Sequence, residues 1–279
     1  MKPDDKQKIK ALFEKKRKDM GLSQSRAAVA AGTKGTTVSQ VFAGKYGAND
    51  EGIYKLLAKW VNYETEGWQY VETRNVSIIT QLLDQARLNA LAMAITGDAG
   101  IGKTATLRFF AERHPNVLLL QCDEFWDRKQ FMRELLTVMG RDYVGKSLIE
   151  MVNIATSAII QMDKPLILMD EADKLGNPVL NMFISLYNRL EDHCGFVMVA
   201  TDHLRKKLER GCGLGRKGYE EIWSRVGRKS IACPKTNNKD ILSICKANGI
   251  EDENLISTII HESRGDLRRV RRSVHAQVM

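Results

Sequence analysis

The chain has 279 residues, 43% of them hydrophobic, enough for one domain of ordinary size plus a small one and for a sizeable buried core. No stretch approaches the roughly 20 apolar residues that span a bilayer, and the lysine-rich start, Met1 to Lys18, lacks the apolar segment of a secretory leader. The net charge of +9 is unevenly spread: 13 Lys/Arg against 8 Asp/Glu over residues 1–66, 13 against 17 over 67–202, and 17 against 9 over 203–279. Basic ends around an acidic middle suit contact with nucleic acid, and equally a solvated basic surface.

In chain order, residues 6–60 read as short helices separated by Gly-containing turns. Gln24 to Gly44 has the spacing of a helix-turn-helix. Ser23 is placed to cap the first helix, Ala28 to let the two helices cross closely, Gly32 to make the left-handed turn, and Val38 and Val41 to pack the second helix on the first. The stretch resembles lambda-repressor-like domains. Lys34, Thr36, Thr37, Ser39, Gln40 and Lys45 are then the candidate DNA contacts, polar groups toward bases and lysines toward phosphates. A helical bundle that binds protein is the alternative. Five cysteines, an odd number without a CxxC pair, point to reduced thiols and a cytoplasmic setting.

The boundaries expected are a helix-turn-helix domain at 1–62, a linker at 63–75, an α/β core at 76–234 and a helical lid at 235–279. From residue 76 helical patterns alternate with apolar runs at 91–96, 117–122, 165–169, 196–200 and, more weakly, 229–233. Five such runs bounded by helices predict an α/β fold with a parallel five-stranded sheet covered on both faces. Residues 236–279 read as helices only.

Gly97-Asp98-Ala99-Gly100-Ile101-Gly102-Lys103-Thr104 fits G-x-x-x-x-G-K-[ST], directly after one apolar run and before a helical stretch that continues through Ala105. Glycines let backbone N–H groups wrap phosphates, and the helix start adds its positive dipole. Lys103 is suited to the β- and γ-phosphates of ATP and the Thr104 hydroxyl to Mg²⁺. Further along, the run 165–169 ends in Asp170-Glu171, which places Asp170 to hold Mg²⁺ through water and Glu171 to polarise the attacking water. The run 196–200 ends at Thr201-Asp202, where Thr201 is the candidate to reach the γ-phosphate, or else caps the next helix. Gly213-Leu-Gly215-Arg-Lys-Gly218 matches G-x-G-x-x-G without the strand context of a dinucleotide site, and reads as a flexible basic loop.

These residues resemble the AAA+ ATPases over about 76–279. The resemblance implies a P-loop AAA+ core with a helical lid, slow hydrolysis of ATP, and two further arginines. Arg225, in Trp223-Ser224-Arg225, sits where an arginine finger reaches into a neighbouring subunit, with Arg228 as its rival. Arg268, in Gly265-Asp266-Leu267-Arg268, sits where a lid arginine approaches the γ-phosphate. A repressor-type domain directly ahead of such a module resembles the ATP-dependent target-DNA activators of transposition, through the Gly44-Lys45-Tyr46 stretch, Tyr70 to Arg74 and Asp170 to Asp173. That implies largely non-sequence-specific DNA binding as a helical oligomer, with recruitment and stimulation of a transposase. Arg128, Lys129 and the stretch Arg141 to Lys146, above all Lys146, are candidate contacts for such DNA or plain surface charge. Two other readings stay open. One is a transcription regulator controlled by ATP, and the other a helicase-loader or plasmid-maintenance ATPase acting on a protein partner.

Overall fold

The computed structural model describes residues 3–47, 49–61, 63 and 68–278. Residues 64–67 of the expected linker lie outside the described residues, as do 1, 2, 48 and 62 of the N-terminal region and Met279 of the lid.

Four helices form the N-terminal unit: α1 (Pro3–Asp19), α2 (Gln24–Ala30), α3 (Gly35–Phe42) and α4 (Glu51–Val61). The Ser23 side chain accepts from the Arg26 N–H at 3.3 Å and starts α2. Helix α2 ends just ahead of Gly32, whose φ of +82° is open to glycine and strained for other residues. Ala28 and Val38 are fully buried in one core with Phe13 and Leu57, and Val41 joins them. That packing fixes which face of α3 turns outward. Thr36, Ser39 and Gln40 are exposed on it, flanked by exposed Lys34 and Lys45, while Thr37 is half-buried.

The larger unit begins with α5 (Arg74–Leu88) and continues β1 (Ala92–Thr96), α6 (Lys103–Arg113), β2 (Val117–Gln121), α7 (Arg128–Val138), α8 (Leu148–Ile160), β3 (Leu166–Asp170), α9 (Asn177–Leu190), β4 (Gly195–Ala200), α10 (His203–Gly213), α11 (Tyr219–Arg225) and β5 (Ile231–Ala232). All pairings are parallel, in the order β2-β3-β4-β1-β5. Alternation along each strand builds two cores. Leu166, Leu168, Val197 and Val199 face Ile79, Leu83 and Phe110 of α5 and α6. Ile167, Met169, Phe196 and Met198 face Phe131, Ala155 and Phe183 of α7, α8 and α9. Because both faces are covered, these strands are apolar runs without polar alternation. The weak run 229–233 shrinks to the two paired residues Ile231 and Ala232, an edge strand held by β1 alone.

A third unit, α12 (Asn238–Ala247), α13 (Glu253–Ser263) and α14 (Leu267–Val278), has its own core of Ile241, Cys245, Ile256, Ile259, Val270 and Val274. Trp68 and Val71 pack against it, so the segment entering α5 is attached to the lid. No helix among the described residues is long and apolar enough to cross a membrane. All five cysteines are free.

Candidate nucleotide-binding and catalytic site

The loop 97–102 leaves β1 at the carboxyl edge of the sheet and opens α6. Gly100 and Gly102 take φ of +82° and +97°, which curl the backbone toward the start of the helix. The Lys103 ammonium folds back over this loop and donates to the carbonyls of Gly97 and Asp98, each at 2.8 Å. Burial pushes the Lys103 pKa down, opposed by the negative charge of Asp170. Ile101 behaves differently from the rest of the loop. It is 3% exposed and belongs to the core beneath. Only its backbone is left to meet a phosphate.

Asp170, at the end of β3, is 2% exposed. Its Oδ1 accepts from the Glu171 N–H at 3.0 Å, and its carboxylate also meets the Thr104 hydroxyl. Burial raises the Asp170 pKa, while the Thr104 hydrogen bond works in the opposite direction. A hydroxyl and a carboxylate in contact at the mouth of a phosphate loop are two hard oxygen donors, a set that fits Mg²⁺ completed by phosphate and water. No cluster of three or more His, Cys, Asp or Glu among the described residues forms a cage that holds a metal without such help.

Glu171 begins a single 3₁₀ turn, Ala172–Lys174, with a left-handed φ of +56°. Its carboxylate pairs with Lys174 at 2.8 Å. Next to it, the Thr201 hydroxyl donates to Asp173 Oδ2 at 2.7 Å. Lys207 secures the same turn from below through the carbonyls of Asp173 and Leu175. The sequence marked Glu171 and Thr201 but neither Lys174 nor Asp173, the side chains that hold them.

These groups open onto one cavity of about 820 Å³, bounded by the phosphate loop, Glu171, Thr201 and the lid. Arg268 lines it from α14, near enough that its charge depresses the Lys103 pKa. The lid is fixed to the loop directly: the Leu267 N–H donates to the Gly100 carbonyl at 2.8 Å. The far wall consists of residues 68–73 with Val76 and Thr80 of α5, so part of the expected linker is a wall of the site. The Asn248 side chain holds it by a pair of hydrogen bonds to the backbone of Gln69, at 2.8 and 3.1 Å. Trp68 stacks on His275 with 5.7 Å between ring centroids.

The remaining candidates lie elsewhere. Arg225 donates to Asn188 Oδ1 at 2.7 Å and lies 5.3 Å from the Tyr187 ring centroid, tethered to α9. Arg228 is exposed. Neither lines the cavity of its own chain. Arg128 and Lys129 are exposed in the first turn of α7, where the helix dipole disfavours cations. Phe125, just before them, is 86% exposed. Lys146 is half-buried between α7 and α8.

Residues 86–208 match the family model described as an AAA domain. The chain is 24% identical over 261 residues to the Mu-like prophage FluMu DNA transposition protein B of Haemophilus influenzae, covering 90% of this chain and 89% of that protein. It is 23% identical over 265 residues to the ATP-dependent target DNA activator B of Escherichia phage Mu, covering 90% and 82%. Among solved structures it is similar to Drosophila ORC bound to DNA, with 14% identity and a TM-score of 0.48, over 84% of this chain and 65% of that one. The fold expected from the phosphate loop and the strand pattern, an AAA+ α/β core with a helical lid, is the fold of this chain. Its resemblance to the transposition B proteins extends over nine-tenths of its length.

Proposed function

We propose that this AAA-fold relative of the Mu-type target DNA activators is an ATPase whose ATP-bound form assembles on DNA and there recruits and stimulates a transposase. The observation that carries the reading is the convergence of Lys103, Thr104, Asp170, Glu171 and Arg268 on one cavity. The loop N–H groups and Lys103 hold the β- and γ-phosphates. Thr104 and Asp170 hold Mg²⁺, which when bound neutralises charge building on the phosphates. Glu171 leaves Lys174 to accept a proton from the attacking water, and Thr201 orients that water. Arg268 approaches the γ-phosphate from the lid. Neither Arg225 nor Arg228 lines its own cavity, so a finger supplied by either would come from a neighbouring subunit and would make hydrolysis depend on assembly.

Support for DNA comes from the basic ends of the chain, the outward polar face of α3, and the cations of α7 held against the helix dipole. A role at target DNA during transposition is supported by the names of the relatives, one a DNA transposition protein and another an ATP-dependent target DNA activator. The test is DNA co-sedimentation of the full chain with and without ATP, beside Lys103→Ala. ATP is expected to raise DNA binding by the wild type and to leave the variant unchanged. Equal binding by both in ATP contradicts the reading. The exposed Thr36, Ser39 and Gln40 favour a second reading, a regulator that reads an operator with α3. That reading requires strong sequence preference, abolished by Gln40→Ala, whereas the first requires sequence-tolerant binding that survives it.

A further inference from the structure

The DNA reading, on which this inference rests, gives phosphates to Arg128 and Lys129 of α7 and nothing to the turn that precedes them. That turn joins β2 to α7 at the carboxyl edge of the sheet, where Gln121 lies beside Asp170. Its Phe125 is 86% exposed, more than any other large hydrophobic side chain among the described residues. The next most exposed aromatic ring, Tyr70, reaches only 44%. Single exposed apolar residues are ordinary on protein surfaces, so exposure alone decides nothing.

The way the ring is held decides more. The Asp123 carboxylate accepts from the Phe125 N–H at 3.0 Å, and the Trp126 N–H donates to the Asp123 carbonyl at 3.3 Å. Asp127 caps α7 by accepting from the Gln130 N–H at 2.7 Å. Of two adjacent rings, Trp126 turns inward and meets Phe131 edge-on, with 6.2 Å between centroids. Phe125 is thereby presented outward from a fixed turn. The same bonds engage two of the three acids of the turn with backbone N–H groups, leaving Glu124. Arg128 and Lys129 are exposed and make no ion pair among the described residues. An apolar pocket on a protein would take the ring without two unpaired cations beside it. A polyanion with flat apolar faces between its charges uses all three side chains. Every base has such a face, so the contact tolerates any sequence.

We propose that Phe125 is a base-stacking wedge: while Arg128 and Lys129 hold phosphates, its ring enters a base step of the bound duplex and unstacks it. Apolar wedges of this kind open base steps where neighbouring contacts hold the backbone. The cations contribute binding that weakens with salt, and the ring contributes binding that does not. The two contributions are therefore separable by salt.

The experiment uses the full chain on a mixed-sequence duplex in saturating ATP, comparing wild type, Phe125→Ala and Phe125→Trp. Affinity is measured at several salt concentrations, and permanganate, which oxidises thymine where it is unstacked, probes the saturated complexes. Equal melting temperatures and equal ATP affinity show the fold intact. Phe125→Ala is expected to weaken DNA binding by about five- to a hundredfold at every salt concentration, the size of one stacked base. The slope of log affinity against log salt stays unchanged, because no phosphate contact is lost. Thymines become reactive in the wild-type complex and not in the Phe125→Ala complex, and Phe125→Trp restores both affinity and reactivity. Affinity of Phe125→Ala within about twofold of wild type overturns the proposal, as does a wild-type complex without reactive thymines. A lowered salt slope also overturns it, because the ring then only places the cations. Loss of self-assembly by Phe125→Ala in ATP without DNA assigns the ring to a contact between copies and overturns it too. A wild type that binds no DNA in ATP refutes the DNA reading itself, a different outcome from all of these.

Discussion

Replacing Gly100 by alanine is expected to unseat the lid from the phosphate loop. A Cβ on Gly100 would lie 2.2 Å from Asp266 Oδ1 and 3.2 Å from Asp266 Cα. Asp266 sits at the hinge point, because its Oδ1 accepts from the Arg268 N–H at 2.9 Å while the Leu267 N–H holds the Gly100 carbonyl at 2.8 Å. The left-handed backbone costs an L-residue about 1–2 kcal/mol. Loss of the Leu267 hydrogen bond adds about 0.5–1.5 kcal/mol. The sum is roughly 1.5–3.5 kcal/mol, of which the hydrogen-bond part falls on the contact between lid and core. Gly102 supplies the control. Its φ is also positive, +97°, but a Cβ there would meet only Leu267 Cδ1 at 3.4 Å. Gly102→Ala therefore carries the backbone strain without the collision. Amide hydrogen exchange at Leu267, without nucleotide, reads the difference. Exchange is expected to be faster in Gly100→Ala than in Gly102→Ala by about two- to tenfold, the equivalent of roughly 0.5–1.4 kcal/mol. Equal protection of Leu267 in the two variants refutes this view of how the lid is held.

Two more perturbations address assembly and DNA. Arg225→Ala is expected to cut hydrolysis steeply while leaving ATP binding intact, and mixing it with Glu171→Gln should restore activity at interfaces that pair an intact Arg225 with an intact Glu171. No recovery in confirmed mixed assemblies gives Arg225 a role within its own subunit or moves the finger to Arg228, which is exposed where Arg225 is tethered to Asn188. Reversing Arg128 and Lys129 to glutamate should lower the slope of log affinity against log salt by about 1.8 or more, as the loss of two phosphate contacts requires. An unchanged slope makes both residues plain surface charge.

What the sequence made legible was local. The phosphate loop occupies eight consecutive residues, and the runs around 94, 119, 167 and 198 are apolar because each strand is covered on both faces. The parts that escaped depend on distant partners. Residues 68–73 have no period of their own and become a cavity wall only when Asn248, 179 residues away from Gln69, binds their backbone. Thr201 meets Asp173 across 28 residues, and Arg225 meets Asn188 across 37. Nothing local to Trp223-Ser224-Arg225 reveals that tether. The edge strand was overlong in the sequence because its apolar character comes from the core beneath Cys233, whereas pairing with β1 involves Ile231 and Ala232 alone.

If the ATP-bound form is the one that assembles on DNA, as proposed, ATP turnover governs how long the protein stays there, and Glu171→Gln tests this most directly. The change removes the carboxylate that takes a proton from water and leaves Thr104 and Asp170 in contact. Hydrolysis is expected to fall by a factor on the order of 10²–10⁴ with ATP binding retained. The measurement is dissociation from labelled DNA after excess competitor DNA is added, in saturating ATP, variant against wild type. Slower dissociation by the variant is the expected result. Equal rates, with hydrolysis verified as blocked, contradict the claim.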